Sequence, residues 1–274
     1  FVVKLGGSAM EEPAATKGTL ESLVALQQFG IRIILVHGGG KPIDRAMAAA
    51  GIEPRKVQGR RYTDEKTLEI VVKVLHEIGA GLVEQLNSMG GWAKQMPMEL
   101  TGALLTISGP NGQAIDLGRV GSVTHVSSIL QAQGIYEHIL SVVPSLALDD
   151  TGGWLNVNAD TAASAIAGAV KAEAAIFLTY TPGVLANRDD PSSLFARLTV
   201  AECKKLIADG VIAGGMIPKV EACFEALDAG ELPFVGTGTV EGIPIDDFHG
   251  PRRAEGIARE QLDVPLDDQT QLLR

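Results

Sequence analysis

Within its first fifty residues the chain twice runs from an apolar stretch into glycines and then into a helical pattern. Residues 1–5 (FVVKL) lead into Gly6-Gly7-Ser8, and residues 31–37 (IRIILVH) lead into Gly38-Gly39-Gly40. Amphipathic spacing over 19–29 and 42–50, the second stretch stopping at Gly51, reads as helix. Strand, glycines and helix repeated at this spacing predict a parallel sheet with crossover helices. Such a sheet is covered on both faces, so its strands read as continuous apolar runs. The composition agrees: 46% of residues are hydrophobic but only 4% aromatic, so aliphatic side chains must fill the core.

The pattern continues downstream. Thr63-Asp64-Glu65 reads as a helix start with a capping residue and acids in the first turn, and apolar spacing from Leu68 to Leu86 extends it into a long helix. One strand is expected between 92 and 123, at 103–108, and 141–148 reads as another. Helices are expected at 160–170 and 199–209, with a strand at 174–180 between them. Gly214-Gly215 leads through Pro218, which suits a first helical turn, into a helix ending near Ala229. The last forty residues mix glycine, proline and charge and give no assignment. A lobe boundary is placed at 149–153 (DDTGG).

Charge narrows the function. The net charge is −10, from 33 acidic and 23 basic residues, and no basic block occurs. Nucleic acid is therefore not an expected partner. An acidic chain that handles an anion must gather its few cations locally, so lysines and arginines beside the glycine turns are the candidates. Cys203 and Cys223 form no CxxC and read as small core hydrophobes of a reducing compartment, with no disulfide or metal site. No apolar run reaches the ~18 residues of a membrane span. No charged leader or cleavage site precedes the first strand, so a cytoplasmic protein is expected, with a few native residues before Phe1. His37, His76, His125, His138 and His249 are scattered and read as structural.

Three glycine turns, at Gly6-Gly7, Gly38-Gly39-Gly40 and Gly214-Gly215, could bring backbone N–H groups to a ligand. Ligands of parallel sheets bind at the carboxyl ends of the strands. GGGKP is not a P-loop, Gly236 and Gly238 are spaced wrongly for GxGxxG, and no HRD or DFG set is present. The ordered set is more informative: VVKLGGSAM (2–10), VHGGG (36–40), RRYTDEKTLEIV (60–71), DLGRVGSV (116–123), LNVNADTAASAIAGA (155–169), LTYTPGVL (178–185) and GGMIPKVEA (214–222). In this order the motifs resemble the amino acid kinase family, and within it the acetylglutamate kinase branch, over most of residues 1–230.

That resemblance implies an α/β fold: an open, mainly parallel sheet sandwiched by helices, in two lobes. Residues 1–150 would bind the acceptor and 151–274 the nucleotide. It implies ATP and Mg²⁺, and transfer of phosphate to the side-chain carboxylate of N-acetyl-L-glutamate on the route to arginine. By the same resemblance Lys4 lies near the transferred phosphoryl group, Lys219 on the ADP side, and Asp160 orients both. Gly6 and Gly7 fall to the phosphates; Gly39, Gly40, Arg61, Asn156 and Asn158 fall to the acceptor. The chemistry suits these residue types. A carboxylate is already ionised at neutral pH and needs no base. The difficulty is anion against anion, so catalysis is positioning and charge stabilisation.

Each residue has a plainer reading. Lys4 could reach solvent at the sheet end, Lys219 could be exposed on its helix, Asp160 could only cap its helix, and Arg61 could pair with Asp64 or Glu65. Two other functions remain open: a kinase for carrier-linked aminoadipate in lysine biosynthesis, and a ligand-binding member without turnover. A homodimer or higher homo-oligomer and a PII-type regulator are the implied protein partners. The chain departs from the family pattern at Tyr180, which replaces an acid, and after SGPNG (108–112), which DLGRVG follows almost at once where the family usually inserts a hairpin. The C-terminal DGR…H…GIGT pattern is absent after Gly230.

Overall fold

The computed structural model describes residues 1–6, 9–108, 111–136, 138–179, 183–187, 189–195, 197–213, 216–230, 235–239 and 256–258. Gly7, Tyr180, Gly214 and Gly215, and the middle of the SGPNG turn, lie outside the described residues. The chain begins β1 (Val2–Leu5), α1 (Pro13–Gln28), β2 (Ile34–His37), α2 (Gly40–Ala49), β3 (Lys56–Val57), β4 (Arg60–Arg61) and α3 (Glu65–Ser88). Next come β5 (Ala93–Gln95), β6 (Leu100–Leu104), β7 (Ile107–Ser108), β8 (Ala114–Ile115), β9 (Val120–Val126) and α4 (Ser128–Tyr136). After them follow β10 (Leu140–Pro144), β11 (Leu146–Leu148), β12 (Trp154–Val157), α5 (Ala159–Ala169) and β13 (Ala175–Thr179). The order ends with β14 (Arg197–Thr199), α6 (Val200–Ala208), α7 (Ile217–Gly230), β15 (Val235–Thr239) and β16 (Gly256–Ala258).

The main sheet has eight strands in the order β14-β16-β15-β13-β1-β2-β10-β5. Its pairings are parallel except β15 with β16. The expected open, mainly parallel sheet is thus observed. In β1 the side chains alternate between faces. Val3 and Leu5 enter the core made with Leu20, Leu23 and Val24 of α1 and Leu82 and Leu86 of α3. Val2 enters the core on the other face, with Ala163, Ile166 and Ala167 of α5 and Val220 and Cys223 of α7. Lys4 shares the Val2 face and so points toward α5 and α7. Ser164 stitches those two helices together, its hydroxyl donating to the Ala222 carbonyl at 2.8 Å. Cys203 and Cys223 are buried, as expected, and burial pushes their thiols up to about 11 and about 12.

The sequence pattern locates most helices, with shifted ends. α1 starts at Pro13 rather than at residue 19, since proline is well placed in a first helical turn. α3 is capped by the Asp64 carboxylate, which accepts from the Thr67 N–H at 2.8 Å, and Glu65 follows in its first turn. α6 carries a capping box between Thr199 and Glu202.

Two strand expectations need correction. The single strand at 141–148 is two strands in different sheets. The chain changes sheet at Ser145, whose N–H donates to the His37 carbonyl of β2 while its own carbonyl accepts from Val157 of β12. Between 92 and 123 there are five strands, not one. β6, β9, β12 and β11 close into a small four-stranded barrel. β7 and β8 pair antiparallel on either side of the SGPNG turn, and β8 ends at Ile115, directly before the DLGRVG stretch. At the far end Gly236 and Gly238 lie inside β15, paired with β13, and are strand residues rather than a loop.

Candidate active site

The parallel register puts Leu5 of β1, His37 of β2, Pro144 of β10 and Leu178 of β13 side by side at the carboxyl edge of the sheet. Just beyond that edge lie the first two glycine turns and the first turn of α5. Gly6 is buried after β1, and its carbonyl accepts from the Met10 N–H at 3.3 Å, turning the chain into the helical turn Ala9–Glu11. Glu11 then pairs with Lys41 and, at 2.6 Å, with Arg45. The two glycine turns are therefore tied to each other through α2.

Gly38 and Gly39 are hemmed in, and Gly40 is open. A Cβ at Gly38 would sit 3.2 Å from Ala159 of α5, and one at Gly39 would sit 3.0 Å from Leu75 and Ile78 of α3. A Cβ at Gly40 would meet nothing within 4 Å. Gly40 begins α2, and the first N–H groups of a helix have no partner within it. His37, the residue before this turn, is fully buried and stays neutral: burial pushes it down to about 4, against the opposing effect of the Gly38 carbonyl.

The charged centre lies on the other flank of β1. Lys4 Nζ is 2.7 Å from Asp160 Oδ1, and the two side chains are only 12% and 18% exposed. Asp160 does not cap α5. That role falls to Asn158, whose Oδ1 accepts from the Asp160 N–H at 2.7 Å and the Thr161 N–H at 3.4 Å. With the cap supplied two residues earlier, the Asp160 carboxylate reaches Lys4.

Lys219 stands in the first turn of α7 and is partly buried. Burial lowers its basicity first, the charge of Lys4 lowers it further, and Asp160 opposes both. The structure therefore brings Lys4, Asp160 and Lys219 within electrostatic reach of one another. Lys219 also sits at the positive end of the α7 helix dipole, an end that favours anions.

A third group of side chains lines the α2 and barrel side. Arg61 is 9% exposed and forms an ion pair with Asp44 of α2, Nη1 to Oδ1 at 2.5 Å, without hydrogen-bond alignment. Its Nη2 donates to the Gly40 carbonyl at 3.1 Å. Its partner is thus Asp44, not Asp64 or Glu65. Asn156, on β12, donates from Nδ2 to the Thr63 hydroxyl at 3.0 Å, and that hydroxyl donates to the Arg61 carbonyl at 2.9 Å. Arg61, Gly40 and Asn156 are joined in this way through Thr63, a residue the sequence reading used only as part of a helix start. Also missed were Asp44 and the pair Arg119–Asp149. Arg119 was visible inside DLGRVGSV, but nothing local marks an acid thirty residues downstream as its partner.

The family model for the amino acid kinase family matches residues 1–235. The chain belongs to the amino acid kinase family. Acetylglutamate kinase of Brachyspira hyodysenteriae is 40% identical over 230 residues, covering 84% of this chain and 79% of that protein. Acetylglutamate kinase of Methanococcus maripaludis strain C5 is 38% identical over 281 residues, covering 95% and 92%. That match runs beyond the point where the C-terminal motif is lost. Among solved structures, smu.665 from Streptococcus mutans UA159 superposes with a TM-score of 0.75 at 27% identity, covering 89% of this chain and 95% of that one. Among the described residues no helix is long and apolar enough to cross a membrane.

Proposed function

We propose that this amino acid kinase transfers the γ-phosphoryl group of ATP to the side-chain carboxylate of N-acetyl-L-glutamate. The product is an acyl phosphate on the route to arginine. The identity of about 40% to acetylglutamate kinases supports the acceptor. The observation that carries the chemistry is the Lys4–Asp160 pair at the end of β1 with Lys219 beside it. Mg²⁺ enters with ATP as part of that substrate, held by phosphate oxygens, and no protein ligand set is assigned to it. The proposal includes a cytoplasmic homo-oligomer, and a division into an acceptor-side lobe (1–150) and a nucleotide-side lobe (151–274).

In this reading an acceptor carboxylate oxygen forms a bond to the γ-phosphorus as the bond to the ADP oxygen breaks. The negative charge moves from the acceptor to ADP. Lys4 neutralises the phosphoryl oxygens in flight, and Lys219 stabilises the charge building on the leaving side. Asp160 keeps Lys4 aimed across the sheet edge and keeps two ammonium groups tolerable side by side. Backbone N–H groups at Gly6 and Gly7 hold phosphate. Gly39 and Gly40 offer N–H groups at the start of α2, and the Arg61 guanidinium takes a substrate carboxylate, for which a planar fork is suited. Asn156, on β12, is linked through the Thr63 hydroxyl to the Arg61 backbone. Asn158 spends its side-chain oxygen on the α5 cap, so its share in the acceptor site is to fix the helix that carries Asp160.

The test is chemical. Incubation with MgATP, N-acetyl-L-glutamate and hydroxylamine should yield a hydroxamate in proportion to ADP, because hydroxylamine traps an acyl phosphate. ADP formed without hydroxamate would point to an acceptor other than a carboxylate. A carrier-linked aminoadipate acceptor, supplied in place of N-acetyl-L-glutamate, is the competing arm. Light scattering of the purified chain reads the oligomer.

A further inference from the structure

We propose that Arg119, acting through Asp149, is a positioning residue for the acceptor end of the site. This inference rests on the acceptor reading above, which places Arg61 and Asn156 at that end. Arg119 lies between Gly118 and the start of β9, where the chain passes close beside Thr63. Gly118 has φ +67°, and a Cβ there would lie 2.2 Å from the Thr63 carbonyl oxygen. The crossing is stitched on both sides. The Thr63 N–H donates to the Leu117 carbonyl at 3.0 Å, and the Arg119 N–H donates to the Thr63 carbonyl at 2.6 Å. On its other edge Arg119 accepts, at its carbonyl, the Asn156 N–H at 2.9 Å. Its backbone thus holds the two segments that carry Arg61 and Asn156.

The side chain locks that arrangement from outside the pocket. Arg119 Nη2 donates to Asp149 Oδ2 at 2.6 Å and to the Trp154 carbonyl at 2.9 Å. Asp149 closes the turn between β11 and β12. Its Oδ1 accepts the Thr151 N–H and hydroxyl at 2.9 and 2.6 Å and the Gly153 N–H at 2.8 Å. Gly153 leaves the space the guanidinium needs, since a Cβ there would come within 2.5 Å of Arg119 Nη2. A carboxylate with four donors and one guanidinium nitrogen, Nη2, with two acceptors form a strut, and the strut ends at Trp154, two residues before Asn156. The Arg119 side chain is 21% exposed and that of Asp149 11%, so water competes weakly for the pair. A strut with this geometry contacts no substrate position; it sets where Asn156 and the Thr63–Arg61 link stand.

The experiment compares Arg119→Met, Arg119→Lys and Asp149→Asn with wild type in steady-state ADP release. Arg119→Met should raise the KM for N-acetyl-L-glutamate by about tenfold or more, while the KM for ATP stays within about twofold. Arg119→Lys should recover part of the loss. Asp149→Asn should give the same split, and the double variant should be no worse than the worse single one. Equal changes in both KM values, or no change in a folded variant, would overturn the inference. If Arg119→Met does not fold, Arg119→Lys and Asp149→Asn carry the same readout. Hydrogen exchange at the Asn156 amide needs no substrate and keeps this test apart from the acceptor reading. Should wild type fail to use N-acetyl-L-glutamate, the acceptor reading falls. The strut would still be judged by faster exchange at Asn156 in the variants with α5 unchanged. Exchange at the wild-type rate would sink it.

Discussion

Replacing Lys4 by methionine keeps an unbranched side chain of similar length and removes the ammonium group. In the structure this deletes the partner 2.7 Å from Asp160 in a place where both side chains are nearly buried. Two consequences should separate. First, a charged donor aimed at a transferring group is worth roughly 3–4 kcal/mol in the transition state. Its loss should lower kcat by about 10²–10³-fold. Arg61, Gly40 and Asn156 are untouched, so the KM for the acceptor should move by less than about threefold. Second, Asp160 keeps its place in the first turn of α5 but loses its closest cation, at a cost of about 1–3 kcal/mol of stability. Lys219 remains near enough to offset part of it. The assay is coupled ADP release at saturating MgATP and acceptor, with a thermal melt of the same sample to show that it is folded. A folded Lys4→Met protein with kcat within about threefold of wild type would refute the role given to Lys4.

Other perturbations follow from the same geometry. Arg61→Ala should raise the KM for the acceptor by roughly 30- to 150-fold, the equivalent of about 2–3 kcal/mol for a charged hydrogen bond, with a much smaller effect on the KM for ATP. Asp160→Asn removes the group that raises the basicity of Lys219, leaving burial and Lys4 to lower it. Lys219 then loses its proton sooner as pH rises, and the alkaline limb of kcat/KM should move to lower pH; a limb that stays put would show that Lys219 does not feel Asp160. His37 is held neutral and pushed down to about 4, below its ordinary 6.5. Its contribution is fully present above about pH 6.5 and is lost as pH falls toward 4, up to about 3 kcal/mol. Denaturant midpoints across that range should fall less steeply for His37→Gln than for wild type, and parallel slopes would contradict a buried neutral imidazole.

The main sheet was legible because its strands are apolar runs ending in glycine, a pattern that burial on both faces enforces. β1 and β2 could be read to within a few residues, as could α3 with its Asp64 cap. The barrel was not legible. β7, β8 and β11 are two or three residues long, too short for an alternating pattern to show. The break at Ser145 has one signal, Pro144, which cannot donate to a sheet ladder, and it is masked because the strands on both sides are buried and apolar. In the site, Lys4 was conspicuous as a lysine inside an apolar strand, and Asp160 as an acid in a first helical turn. Their pairing depends on the β1 alternation and on Asn158 taking the cap. Arg61 could be singled out, but its partner could not, because Asp44 faces it only once α2 has packed across the β3–β4 ribbon. Thr63, Arg119 and Asp149 act through backbone crossings between segments far apart in the chain, which residue patterns do not encode.

The most direct measurement is ADP formation from MgATP across a panel of acceptors: N-acetyl-L-glutamate, L-glutamate, L-aspartate, carbamate and a carrier-linked aminoadipate. An amide and a carboxylate must be met together by Asn156 and Arg61, so kcat/KM for N-acetyl-L-glutamate should exceed that for unacetylated L-glutamate by at least about 10²-fold. Equal turnover of every acidic acceptor, or nucleotide binding with no ADP from any of them, would contradict the assignment of this site to N-acetyl-L-glutamate.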